Sequence, residues 1–479
     1  MSIIKKIVNK FPGIVYIVAL IPFLVASYGY YITGEFSFWE TVYAAIAIYF
    51  VNPVSEITNG FILFGEITSV IVTAGIILSV LKYALKKVSN FFVRFRKDAT
   101  VVYTDNDMGR KLAASLKHGY MTTSSDKPEK VKNHILMFSD DTENVSFYSR
   151  NESKLEKTNV YLFMSELDYT LLKVADKSDA NLHFFNINDL VARDYWKNNS
   201  LYDFKDRACK VAIIGSTDIG KALFKYGYLN NLYTLNQNFE YHLYAFKGPE
   251  ADFLRNLKTE NNDKIFVHDD YWENDSNTLS QMDRVIYAEK TDHLNLIQKL
   301  LFINPTAEIH CYSPDEISYE DVYATDSLLM FGNVNKLISE DNIKSEKLYR
   351  LGKLFNYDYS LRYASREAPA DYEKEMEAEW SKLDGFKKSS SIARADHYWI
   401  EKRLKDDGIL SETEEESWHI EHIRWCRFHY INHWSYAEKR DNARRKHNLL
   451  IPYEDLPKSE KEKDGIYDAR IKEEINRLI

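Results

Sequence analysis

Residues 417–436, SWHIEHIRWCRFHYINHWSY, set indole, imidazole and guanidinium groups at helical spacing, and a run rich in Lys and Arg follows from 438. An indole beside a guanidinium or ammonium group can stack on a purine and neutralise a phosphate. Trp425, Trp434, Tyr436, Arg440, Lys446 and Tyr453 are therefore the candidate nucleotide-binding residues. The same residues also suit a structural role, with Trp425 and Trp434 in a core and Arg440–Asp441 as a packing ion pair. Lys439, Arg440, Arg444, Arg445 and Lys446 form a basic cluster. Its surroundings are rich in Asp and Glu, so a solvated face is expected there and no nucleic-acid partner. His422, His429 and His433 could share a helix face, yet no fourth ligand accompanies them, and no metal site is predicted. Cys209, Cys311 and Cys426 form neither a CxxC pair nor a zinc spacing. Walker A, GxSxG and HExxH motifs are missing, so no enzyme activity is predicted.

A second candidate site lies in KVAIIGSTDIGKALFKYGYL, residues 210–229, an apolar run, a glycine turn and an amphipathic helix. Gly215 permits a tight turn and Gly220 close helix–strand packing, while Thr217 replaces the middle glycine of GxGxxG. Phe246 and Lys247 stand where a ribose-binding acid would end the next strand, which argues against a nicotinamide cofactor. Gly215, Thr217 and Gly220 either approach a phosphate or only close a sheet turn. Further strand-like runs at 241–246, 264–268, 284–289 and 308–313 alternate with helical stretches, the pattern of a parallel α/β sheet. VVYTDNDMGRKLAASL, 101–116, repeats the form, with Gly109 matching Gly220 and Asp105 in place of Gly215. LHFFNINDLVARDYW at 182–196 parallels IHCYSPDEISYEDVY at 309–323, pairing His183 with His310 and Asp194 with Asp321. Two tandem Rossmann-like lobes are expected, 98–200 and 201–340, then a polar, partly helical connector at 341–374 and a helical domain at 375–479. The first lobe, without its glycines, is expected to be structural.

These elements follow a segment of different character. The chain of 479 residues has a net charge of −9, yet residues 1–97 carry nine basic and four acidic side chains, and none between Lys10 and Lys82 is basic. Two nearly uncharged stretches, 14–32 and 62–81, are each about 30 Å long as helices, enough to cross a bilayer. Lys5, Lys6 and Lys10 precede the first, and Lys82, Lys86, Lys87, Arg94, Arg96 and Lys97 follow the second. Both ends are thus predicted cytoplasmic, in an inner (plasma) membrane crossed twice. The region between is purely acidic, with Glu35, Glu40, Glu56 and Glu66. Residues 38–51 are apolar but too short to span. They form either a re-entrant half-helix, with Tyr49, Phe50, Val51 and Asn52 lining a pore and a turn at Asn52–Pro53, or a helix lying flat at the interface.

Span, short helix, turn and span resembles the two-span pore module of tetrameric cation channels. The potassium filter TVGYG is absent, and IYFVNP stands in its place, so potassium selectivity does not carry over. Followed by two Rossmann-like lobes, the module resembles channels with RCK (TrkA-N) domains, which implies a homotetramer whose cytoplasmic ring pulls on the second span when ligand binds. The C-terminal region resembles the RyR repeat of ryanodine receptors and of bacterial and phage proteins. Glu421, His422, Arg424, Trp425, Trp434, Tyr436, Arg440, Asp441, Lys446, His447, LIPYEDLP at 450–457, Glu460, Lys461 and Asp464 carry that likeness, with Asn448 where the family has Pro. Together the resemblances imply a ligand-gated, channel-like protein sensing a small nucleotide, of the kind found among effectors of bacterial antiviral defence. A non-conducting, membrane-anchored nucleotide sensor or scaffold is the alternative. The expected fold class is α/β with membrane helices and an α-helical RyR-like domain.

Overall fold

The computed structural model describes residues 14–52, 54–93, 96, 98–123, 126–165, 181–289, 293–315, 319, 322, 327–410 and 414–479. Lys5, Lys6, Lys10, Arg94, Lys97, Pro53 and Asp321 lie outside them. The chain divides into two compact units, Met1–Phe95 and Arg96–Ile479.

The first unit holds α1 (Ile14–Ile32), α2 (Phe38–Ala47), a 3-10 turn (Ile48–Phe50) and α3 (Gly60–Val93). A capping box fixes where α2 starts: Ser37 accepts from the Glu40 amide, and the Glu40 carboxylate accepts from that of Ser37. Asn59 caps α3 by accepting from the Phe61 and Ile62 amides, and its own amide donates 2.9 Å to the Gly29 carbonyl of α1. The two long helices touch through small residues. A Cβ on Gly65 would lie 2.7 Å from that of Ala26, closer than any real side chain tolerates.

Tyr49 anchors the other end of the short helix. Its hydroxyl donates 2.6 Å to the Ala19 carbonyl and accepts 3.1 Å from the Phe23 amide, bridging two groups of α1 beside Pro22. Ser69 and Thr73 of α3 each donate 3.0 Å to the carbonyls of Ile48 and Tyr49, so the last acceptors of the helical segment are satisfied by side chains. Val51, at φ 56°, turns the chain back. Tyr49 meets α1 at Ala19 and Asn59 meets it at Gly29, so the loop climbs about 15 Å along α1. Gly60–Leu78 is the one described stretch long and apolar enough to cross a membrane; Ala19–Ile32 and Phe38–Phe50 are shorter apolar helices. Among the described residues, only one of the two expected spans is therefore matched by a helix of sufficient apolar length, and the expected pair of membrane helices is not confirmed.

The second unit contains two wholly parallel sheets. The first comprises β1 (Thr100–Tyr103), β2 (Gly119–Thr122), β3 (Asn133–Leu136), β4 (Asn159–Phe163) and β5 (Asn181–Phe185), in the order β2-β1-β3-β4-β5. The second comprises β6 (Cys209–Ile214), β7 (Phe239–Tyr244), β8 (Lys264–His268), β9 (Arg284–Tyr287), β10 (Glu308–Tyr312) and β11 (Leu328–Phe331), ordered β11-β10-β9-β6-β7-β8. Read from β8, that is the 3-2-1-4-5-6 order of a doubly wound dinucleotide-binding sheet. The first sheet is the same arrangement without a counterpart of β8. The fold class is therefore α/β with parallel sheets, as expected.

The repeat holds for β1 and β6 but not further along. His183 lies on the edge strand β5, whereas His310 lies on β10, one strand in from the edge. The positional counterpart of β10 is β4; the expected match paired two strands with similar alternation but different places in their sheets. The helix after β5, α6, takes its number after α4 (Asp107–Ser115) and α5 (Asp141–Leu155), and spans Ile187–Asn198. It packs into the second lobe against α7 (Asp218–Asn230). There Trp196 Nε1 donates 2.7 Å to the Leu223 carbonyl, and the Tyr195 hydroxyl is 2.6 Å from His310 Nδ1.

Beyond the lobes come α8 (Glu346–Ala364), α9 (Gly385–Asp406), α10 (Glu414–Ile431), short strands at Ser435–Tyr436 and Lys446–His447, and α11 (Ala469–Leu478). The 341–374 stretch, expected to be a polar, partly helical connector, is mostly α8. Leu351, Leu354, Phe355 and Leu361 are buried with Tyr398 of α9 and Ile475 of α11. Asp358 accepts the Tyr467 and Asp468 amides, fastening α8 to the chain before α11. The fully buried Arg427 of α10 donates to the carbonyls of Thr259 and Tyr228, to Asn261 and to the Asp263 carboxylate at 2.8 Å. The helical region is thereby bolted to the second lobe.

Candidate functional site

A cavity of about 1090 Å³ opens among α8, α9, α10 and the 434–449 segment that carries the two short parallel strands. Each helix lines it with residues three or four apart, the spacing that shares a face. Phe355, Tyr359 and Tyr363 come from α8, Lys387, Ser391 and Arg394 from α9, and His422, Trp425 and His429 from α10. One end is aromatic. Phe386 stacks on Trp434 at 4.9 Å and 25°, and Trp425 lies 4.0 Å from the His429 ring and edge-on to His447 at 5.0 Å. Burial pushes His429 down to about 3 and His447 down to about 4, so both rings are neutral near pH 7.

The other end is charged. Arg424 donates to both Glu421 oxygens at 2.7 and 2.8 Å, and Arg394 Nε stands 3.6 Å from the same carboxylate. Burial works to raise Glu421, but Arg424 and Arg394 outweigh it and hold the carboxyl below its usual range. Asp464 goes the other way: burial and the nearby Glu421 charge push it well above the ordinary carboxylate value.

Of the six predicted residues, Trp425, Trp434 and Arg440 meet in the cavity. Arg440 sits at the rim, and its Nε donates to Asn442 at 2.8 Å rather than pairing with Asp441. Lys446 donates to Ser435 outside it, and Tyr436 is exposed. Tyr453 stacks on His419 at 4.3 Å and also lies outside the lining. The sequence reading missed the α8 ladder, Arg394 and the Glu421–Arg424–Asp464 group as site residues. The spacing 355/359/363 was the available signal.

The glycine turn of the second lobe has the backbone expected of it. Gly215 has φ +121°, and a Cβ on Gly220 would fall 1.9 Å from the Gly215 carbonyl oxygen. Thr217 donates 3.0 Å to the Ala288 carbonyl across the crevice between β6 and β9, and the Glu289 side chain packs over Gly215. That crevice is where a doubly wound sheet receives a ligand. Here it is stitched by a hydrogen bond and faced by a carboxylate. In the first lobe Asp105 closes the equivalent crevice by accepting from the Ser139 amide and hydroxyl at 2.8 and 3.0 Å. Of the pore positions, Tyr49 is held against α1, while Phe50, Val51 and Asn52 are exposed.

Fold and site together define a protein with tandem parallel α/β lobes and a helical C-terminal region that carries the large cavity. Residues 410–478 match the RyR domain family, as the aromatic and charged pattern led us to expect. The match takes in α10, the two short parallel strands and α11, and leaves α8 and α9 outside. It gives no support to the channel and RCK (TrkA-N) resemblances. No curated protein matches the chain.

Proposed function

We propose that the chain is a ligand-gated, channel-like protein of the inner (plasma) membrane, with both ends cytoplasmic, gated by a small nucleotide in the RyR-domain cavity. The observation that carries the channel reading is the seating of α2. Its C-terminal end is hydrogen-bonded to the middle of α1 through Tyr49 and to α3 through Ser69 and Thr73, and the chain returns along α1 to Asn59. A helix lying flat outside would have no reason to hold Tyr49 ten residues below Asn59. Such backbone at membrane depth is tolerated where it lines a water-filled path.

One such unit closes no pathway by itself, which supports a homotetramer in which α2 and the following loop of each subunit face a common axis. The acidic Glu35, Glu40 and Glu56 would draw cations to the outer mouth. The cytoplasmic lobes, RCK-like in this reading, form the ring that acts on α3. A ligand opens the pore only by preferring the open packing, so the Arg427 contacts between RyR domain and second lobe would transmit that preference. Opening would depolarise the cell, which suits an effector of antiviral defence. Planar-bilayer recording of the purified chain with linear and cyclic nucleotides tests the proposal. Nucleotide-dependent cation current is expected; a silent bilayer with confirmed nucleotide binding would leave the non-conducting sensor in its place.

A further inference from the structure

The charged end of the RyR-domain cavity holds two guanidinium groups with unused donors. These groups, Arg394 and Arg424, meet at the Glu421 carboxylate; Arg394 Nη2 also donates to the Asp464 carbonyl, and Glu401, Asp464 and Asp358 add to the field that keeps Arg394 charged. Arg424 is 1% exposed, and its Nη1 has no hydrogen-bond partner among the described residues; Arg394 Nε is likewise buried without one among them. A buried, incompletely paired cation is unfavourable unless an anion joins it. Sequence places this end at a fixed distance from the aromatic end. Phe386 and Arg394 both line the cavity from α9, eight residues and about 12 Å apart along the helix. Ser390 and Ser391 lie between them on the same wall.

We infer that Arg394 and Arg424 form a buried phosphate subsite, and that the ligand is a nucleotide lying along α9 with its base against the aromatic cluster of Phe386, Trp434 and Trp425. The subsite rests on the nucleotide-binding role proposed for the cavity and adds to it where each part of the ligand sits. Arg440, at the rim and bonded only to Asn442, is then not the main phosphate ligand. The arrangement also selects against nucleosides, because without a phosphate those guanidinium donors stay unpaired.

Calorimetric titration of the full chain in detergent, with AMP and with adenosine, tests this. AMP is expected to bind at least about tenfold more tightly than adenosine, the worth of one charge-assisted hydrogen bond. Arg424→Gln and Arg394→Gln should each remove most of that difference and leave adenosine within about twofold of its original affinity. Glu421→Gln, which frees both cations, should tighten AMP. Thermal melts establish that each variant is folded, and Arg394→Lys, which keeps the charge, serves if the Gln variants are not. Equal AMP and adenosine affinities, or AMP binding unmoved by Arg394→Gln, overturn the phosphate subsite while the nucleotide reading stands. Failure of both ligands to bind the folded wild-type chain removes that reading and the subsite with it.

Discussion

Replacing Arg427 by Met tests how firmly the RyR domain is joined to the second lobe. The guanidinium is fully buried and makes hydrogen bonds to four groups of that lobe. Its removal strands the Thr259 and Tyr228 carbonyls. Asp263 suffers less, because Gln237 and the Phe239 amide still donate to it, each at 2.8 Å. Breaking a buried ion pair costs about 3–5 kcal/mol, and the two retained donors argue for about 3–4 kcal/mol here. The entropy of unfolding is about 2.1 cal/mol/K per residue, so if all of Arg96–Ile479, roughly 380 residues, melts as one body, Tm falls by about 4 °C. If the helices from α8 onward, roughly 135 residues, melt separately, the fall is about 12 °C. Scanning calorimetry or intrinsic-fluorescence melting in detergent distinguishes the two. Asp263→Asn and the double variant complete a mutant cycle, in which the double should cost less than the sum of the singles by about 1 kcal/mol or more. A Tm within about 1 °C of wild type for Arg427→Met, or strict additivity in the cycle, would refute the reasoning.

Three further outcomes are expected. Gly220→Ala should prevent folding of the second lobe, since its Cβ would meet the Gly215 carbonyl at 1.9 Å, whereas Gly75→Ala, with open space around it, should be tolerated; soluble yield and melting compare them. Tyr49→Phe removes the hydroxyl that bridges Ala19 and Phe23, and should lower stability in detergent by about 1 kcal/mol without changing expression. Burial lowers His183, His310 and His429 to about 3 and His134 to about 4, against an unfolded value of 6.5. Their folded forms resist protonation, so stability is held above pH 6.5 and is lost as pH falls toward those values, by on the order of 1 kcal/mol each between pH 7 and 5.5. Melts at the two pH values should differ clearly, and His310→Gln should reduce the difference; identical melts would contradict the neutral, buried assignment.

Local pattern carried the fold a long way. The run 264–268 is β8 residue for residue, 308–313 and 284–289 each overrun their strands by one or two residues, and the glycines of 210–229 lie where the turn needs them. What stayed hidden depends on contacts distant in sequence. The Arg394–Glu421 pairing joins two helices, and nothing in either segment alone indicates that they face each other. The α8 stripe was obscured because its cavity-facing positions are Tyr as well as Phe, interleaved with Lys, Arg and Asp, so the segment reads as polar although one side of it is core. The second half of the repeat went astray because alternation reports which face of a strand is buried, not its rank in the sheet.

The cavity wall also bears on how such a domain can be inherited. Residues 410–478 bring Trp425, Trp434 and the Glu421–Arg424 pair, but Phe355, Tyr359, Tyr363, Phe386 and Arg394 lie upstream of the matched segment. Moved into another chain by recombination, the matched segment would carry a trough with one bank missing. The recipient would have to supply the opposite bank from its own helices. Chains that share this segment are then free to differ in what they admit, and ligand choice can diverge without a single change inside the segment that identifies them.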